Sequence, residues 1–168
     1  MKKDKKTIAK YILTLVTFGW MIMIFSLSSV RSTESNKVTV KDAGVLSELF
    51  VPGYKEKNIR EQIDITAGVH HLLRKAAHAI EFAVLGFLFV VDIYLWFAPG
   101  KIILVLTSLI PGCLYAASDE IHQYYVPGRS CELGDVIIDS VGVAAGVICA
   151  MIVIFIVKRI SEKRQHES

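Results

Sequence analysis

Ser118-Asp119-Glu120-Ile121-His122-Gln123-Tyr124-Tyr125-Val126-Pro127-Gly128-Arg129-Ser130-Cys131-Glu132-Leu133-Gly134-Asp135 separates two long apolar runs, and Val136-Ile137-Ile138-Asp139 follows at once. Asp119, Glu120, His122, Arg129, Glu132, Asp135 and Asp139 therefore crowd a short reach of an otherwise apolar half of the chain. Upstream, Arg74-Lys75-Ala76-Ala77-His78-Ala79-Ile80-Glu81-Phe82 sets a second polar group at the mouth of another apolar run. Charges gathered at the ends of such runs point to membrane spans whose polar sets meet at one face.

The 168 residues have the length of one domain, and 53% of them are hydrophobic. Crossing the hydrocarbon core takes about 20 mostly apolar residues in a helix. Four blocks meet that requirement, at about residues 8–30, 76–97, 102–118 and 136–157. The expected architecture is all-α: an integral membrane four-helix bundle forming a single domain over residues 1–168, with an outer loop at 31–75.

A net charge of +3 raises the question of nucleic acid, but the basic residues sit where a membrane wants them. Lys2, Lys3, Lys5, Lys6 and Lys10 precede the first block; Lys158, Arg159, Lys163 and Arg164 follow the last. Flanking Lys and Arg stay cytoplasmic, which places both termini inside and agrees with four spans. No nucleic-acid-reading motif is present, so nucleic acid is excluded as a partner. Cys113 and Cys149 fall within spans and Cys131 in a loop, a pattern that makes neither a disulfide framework nor a metal-ligand spacing. The charge-free run from Tyr11 to Val30 is too long for a signal core, and Ser28-Ser29-Val30-Arg31 is a poor cleavage site. An uncleaved first span is expected.

Within the outer loop, Val45, Leu46, Leu49 and Phe50 form a short apolar stripe, suited to lying on the bilayer surface or packing on the spans. From Asn58 the pattern turns helical, with Ile59, Ile63, Val69, Leu72 and Leu73 at helix-like spacing and Gly68 as the expected break. His70 and His71 point about 100° apart on such a helix and make a poor pair of metal ligands. Ala98-Pro99-Gly100-Lys101 is a tight inner turn between antiparallel neighbours. Pro111 removes a backbone hydrogen bond within the third span. In the fourth, Gly142-x-x-x-Gly146 offers a close-packing face.

At the helical rise, His78 lies about 4.5 Å and Glu81 about 9 Å below Lys75, and their three-residue spacing puts them on one face. Asp119 with His122, Glu120 with Gln123, and Asp135 with Asp139 repeat such spacings on neighbouring spans. All converge on the outer leaflet. Asp92 lies near the inner end with no evident partner. A charge at membrane depth costs about 2.5 to 3.5 kcal/mol or more, so these groups need a reason. One is mutual pairing in a fixed bundle, with Arg129 clamping Asp135 or Glu120 and His78 bonded to Glu81. The other is chemistry: carboxylates and a histidine working as acid and base, and Arg129 holding a phosphate or carboxylate through its fork. No zinc-protease helix, Gly-rich phosphate loop, nucleophile turn or Cys–His pair is present, and no metal or cofactor is assigned.

Four motifs in order carry a resemblance: Lys75 to Gly86 with His78 and Glu81; Ser118-Asp119-Glu120-Ile121-His122-Gln123; Val126-Pro127-Gly128-Arg129; and Asp135 to Gly142 followed by Gly146. Together they resemble the VanZ-like membrane proteins over the second to fourth spans, and Phe25-Ser26-Leu27-Ser28-Ser29 also fits. Two positions depart: Phe82 stands where the family often has Tyr, and Asp139 where Asn is frequent. The resemblance implies a multi-pass protein of the bacterial plasma membrane and cell envelope, in a family associated with tolerance of teicoplanin-type glycopeptide antibiotics. It carries over His78, Glu81, Asp119, Glu120, His122, Gln123, Arg129 and Asp135 as site residues.

The expected function follows from both lines. An outward-facing polar pocket would engage an anionic lipid or glycan head group and lower glycopeptide susceptibility, with Gln123, Arg129, Asp135 and Asp139 as ligand contacts. Its partners would be the bilayer itself and an outer-leaflet lipid, cell-wall precursor or glycopeptide. The alternative is a membrane-embedded enzyme modifying a lipid or cell-wall precursor, with His78, Glu81, Asp119, Glu120 and His122 as catalytic candidates. A proton relay ranks last, because Asp92 alone offers a polar step toward the inner leaflet.

Overall fold

The computed structural model describes residues 2–29, 42–127 and 132–166. Its elements are α1 (Lys2–Ser28), α2 (residues 42–50), a 3-10 turn at Tyr54–Glu56, α3 (Ile59–Phe97), α4 (Lys101–Tyr124) and α5 (Leu133–His166). Lys5–Ser28, α3, α4 and Leu133–Gln165 are long and apolar enough to cross a membrane. The protein is a multi-pass, all-helical membrane bundle.

Asn58 starts α3 by accepting the Glu61 N–H on its side chain at 2.9 Å, a standard relief for unpaired first-turn donors. The helix then runs 39 residues to Phe97, about 58 Å at the helical rise and well beyond the roughly 30 Å hydrocarbon core. The helical periodicity from Asn58 is therefore the first half of one continuous helix. The break expected at Gly68 is absent; the helix passes through it, at a propensity cost of about 1 kcal/mol that a long helix absorbs. Ala98, in the left-handed region at φ 43°, stops α3 and returns its N–H to Tyr94 O. Pro99 and Gly100 then leave room only for an antiparallel start of α4. In α2 the small residues Ala43 and Ser47 form the buried side, which leaves Val45, Leu49 and Phe50 exposed.

The core gathers Ile24, Phe82, Leu85, Val90, Leu104, Ala116, Val143, Val147 and Ala150. Its tightest seam lies between α3 and α5, where missing side chains let two backbones meet. A Cβ added at Gly142 or Gly146 would overlap the carbonyl of Ala79 or Ala83, and one at Gly86 that of Val143. This is the close-approach geometry that small residues permit between helices in lipid. Gly112, just past Pro111, receives the Val143 side chain in the same way.

Helix α1 is fastened to α3 and α4 by polar contacts to backbone. Trp20 Nε1 donates to Glu81 O at 2.9 Å, and the Tyr115 hydroxyl donates to Met21 O at 2.6 Å. Toward its start, the Thr14 hydroxyl donates to Asp92 Oδ1 at 2.8 Å and accepts from Trp96 Nε1 at 3.0 Å. Asp92, which showed no evident partner in the sequence, thus has one in the first span.

Candidate functional site

The helix ends at one pole of the bundle bring polar residues of four helices together. Ser28 and Ser29 close α1, Asp119 to Gln123 end α4, Asp135 and Asp139 open α5, and Lys75, His78 and Glu81 lie along α3 beside them. His78 is the centre. Its Nδ1 lies 3.1 Å from Glu81 Oε2 and its Nε2 lies 3.2 Å from Asp119 Oδ2. Asp139 Oδ2 is 3.9 Å from the same Nε2. A ring with a carboxylate at each nitrogen can donate at both ends only when it carries both protons.

Asp119 is the most heavily served acceptor. Its Oδ2 receives the Ser28 hydroxyl at 2.8 Å and the Gln123 amide at 2.9 Å. The same amide nitrogen lies 2.9 Å from His78 Nε2, to which it can donate only when the ring leaves that nitrogen unprotonated. Glu120 takes a separate task. Its Oε1 accepts the Glu132 N–H at 2.7 Å, placing a carboxylate at the α5 N-terminus, where unpaired N–H groups favour negative charge.

Asp119, Glu120 and Asp139 are each only 1% exposed. Asp119 Oδ1, Glu120 Oε2 and Asp139 Oδ2 are buried and have no hydrogen-bond partner among the described residues. At the rim, the Lys75 ammonium pairs with Asp135 and, at 3.3 Å, with Glu132. Among the described residues no group of three His, Cys, Asp or Glu side chains is arranged to hold a metal ion.

The structure therefore sorts the candidates. His78, Glu81, Asp119, Gln123 and Asp139 form one cluster; Glu120 adjoins it at the α5 N-terminus, and Asp135 belongs to the Lys75 rim. His122 turns elsewhere: its Nε2 is 2.9 Å from Ser29 Oγ, and its ring stacks on Phe25 at 3.9 Å. Arg129 lies outside the described residues, as does Cys131. Lys75 and Ser28 are the polar residues to which sequence reasoning gave no role. Both stood inside the quoted motifs, Lys75 three positions before His78 and Ser28 in the serine run closing the first span. Phe82 presents its ring edge-on to His78 at 5.6 Å and is fully buried, so packing fills the place of a phenolic hydrogen bond.

The family model described as VanZ/LLP1 matches residues 13–155, from within α1 to the last third of α5. The chain belongs to the VanZ/LLP1 family. No curated protein and no solved structure matches it. In this VanZ/LLP1 protein the described polar pole sets the carboxyl groups of Glu81, Asp119, Glu120, Glu132, Asp135 and Asp139 against Lys75 and His78. Such a site is rich in acceptors. Its chemistry is to receive hydrogen bonds from hydroxyls or amines, and to pass a proton between His78 and a neighbouring carboxyl group.

Proposed function

We propose that this VanZ/LLP1 protein lies in the bacterial plasma membrane with both termini cytoplasmic. There it holds a polar lipid or glycan head group at the His78 cluster and so lowers susceptibility to glycopeptides such as teicoplanin. The basic residues before α1's apolar run and at the end of α5 support that orientation, because flanking Lys and Arg stay inside. The cluster, at the opposite ends of both helices, then faces outward.

The observation that carries the reading is the set of three buried carboxylate oxygens, on Asp119, Glu120 and Asp139, that lack donors among the described residues. A buried polar group left unpaired costs about 1–3 kcal/mol, and more when charged. A head group bearing hydroxyls or amines would offset that cost. Its anionic part would meet Lys75 at the rim, with Arg129 as the second expected contact. Glycopeptide susceptibility should be measured in a host expressing the wild type, Asp119→Asn or Glu120→Gln, with membrane abundance followed by blot. Lost protection at unchanged abundance is the expected result; unchanged protection in both variants overturns the reading.

One observation favours a second reading. Glu81 holds His78 at Nδ1, and the opposite nitrogen, Nε2, faces Asp119, a carboxyl group with which the ring could exchange a proton during acid–base work. In a membrane-embedded enzyme, Glu81→Gln would abolish turnover while head-group lipid still co-purifies. In a holder it would reduce the co-purified lipid itself, which mass spectrometry of the extract distinguishes.

A further inference from the structure

The pole opposite the His78 cluster carries a separate feature. Between α4 and α5 runs an apolar groove lined by Val105, Val147, Ile148, Met151, Ile152 and Phe155. Ile148, Ile152 and Phe155 are all more than half exposed, so the groove opens toward lipid. The Arg159 guanidinium lies 5.2 Å over the Phe155 ring, one turn past the groove's end. Lys101 stands one turn before Val105, and antiparallel α4 and α5 bring both cations to the same mouth. Both are exposed, and neither is ion-paired among the described residues. Helix α4 begins at Gly100 without a side-chain cap, which leaves its first N–H groups open beside Lys101.

We infer that this groove seats one acyl chain of an anionic phospholipid, with the lipid phosphate held by Lys101, Arg159 and the α4 N-terminus. The apolar walls match a chain, and the charge at the mouth matches a phosphate at the α4 helix start. A second copy of the protein fits poorly. Close helix pairing in lipid uses small residues, whereas Val, Ile, Met and Phe line this groove, and Gly142 and Gly146 are already packed against α3. A two-fold axis along the membrane normal would also bring the Lys101 and Arg159 pairs of both copies together. A zwitterionic lipid would set its own cation against the same pair.

The test is native mass spectrometry of the full detergent-purified chain, titrated with palmitoyl-oleoyl phosphatidylglycerol or with the matching phosphatidylcholine. Juxtamembrane cations contribute about 1 kcal/mol each toward anionic lipid, so phosphatidylglycerol should be retained at concentrations at least about tenfold lower. The Lys101→Ala, Arg159→Ala double variant should equalise the two lipids, and Ile152→Trp should weaken retention of both by filling the groove. All three positions are exposed, which keeps folding out of the comparison. Equal retention by the wild type overturns the inference, as does a phosphatidylglycerol preference untouched by the double variant. A concentration-dependent dimer that Ile152→Trp dissolves while lipid retention stays unchanged also overturns it, in favour of a second copy.

Discussion

The Ser28 hydroxyl at the end of α1 donates to Asp119 Oδ2 on α4 at 2.8 Å, and both residues are buried. One hydrogen bond thus ties the first span, which shares little contact with α4, to the carboxylate that faces His78. Its value lies less in the bond formed than in the buried charge it serves.

Ser28→Ala removes one donor to a buried carboxylate oxygen that keeps Gln123 and His78, a loss of about 1.5–3 kcal/mol for a hydrogen bond to a charged group. Ser29→Ala, one residue on, removes an exposed contact to His122 and should change stability by less than about 0.5 kcal/mol. Thermal midpoints of the two variants in the same detergent check the difference. Equal midpoints would mean that Asp119 draws no net support from α1.

Gly146→Ala should be the most damaging single-methyl change in α5. The added carbon would overlap the Ala83 carbonyl, a backbone atom that cannot swing aside. Overpacking of this kind costs about 1–3 kcal/mol and sometimes more. Gly68→Ala meets nothing within 4 Å in the continuous part of α3 and should stabilise by up to about 1 kcal/mol through helix propensity. Opposite signs in a thermal-shift comparison of the two are expected. A neutral Gly146→Ala would show that the α3–α5 seam can relax.

These contrasts mark what the sequence could and could not carry. The four apolar blocks were readable because length and composition alone define a span, and the close-packing glycines stood at helical spacing. One pair within a helix was readable too: His78 with Glu81 three residues on, at 3.1 Å, follows from helix geometry, whereas the expected pairings of Asp119 with His122 and Glu120 with Gln123 gave way to Asp119 with Gln123. Relations between helices were not, because they depend on how α4 is rotated against α1 and α3. His122 and Gln123 show why. Each lies near Asp119 in spacing, but three and four residues fall on opposite sides of it, about 60° one way and 40° the other. That difference sends Gln123 to His78 and His122 to Ser29 and Phe25 on α1. The Thr14 partner of Asp92 was hidden for the same reason, as a single hydroxyl inside an apolar run.

Lys75 gathers the rim, pairing with Asp135 of α5 and with Glu132 just before it. Lys75→Ala should cost about 1 kcal/mol, since it strands the partly buried Asp135 carboxylate and frees the exposed Glu132, while the Lys75→Asp, Asp135→Lys exchange should recover part of that loss. A double-mutant cycle on thermal stability reads the coupling directly. Additive effects would show that the rim pair contributes nothing beyond its separate charges.

Asp139 supplies the sharpest separation of stability from function. It is 1% exposed, its Oδ2 lacks a hydrogen-bond partner among the described residues, and His78 Nε2 stays 3.9 Å away. A charged acceptor in that setting is destabilising, whereas an amide of the same shape carries no charge and adds donors among carboxylates. Asp139→Asn should therefore raise stability by about 1–3 kcal/mol. The amide oxygen that remains can still accept a hydrogen bond from the head group, so any glycopeptide protection that the wild type confers should be preserved. Asp119→Asn should do the reverse, because Oδ2 of Asp119 faces His78 and already receives Ser28 and Gln123. Thermal midpoints and drug susceptibility, measured on the same two variants, separate the roles. A destabilised Asp139→Asn would show that the second charge beside His78 is required by the fold, and the cluster would then be a self-satisfied structural unit instead of a site waiting for donors.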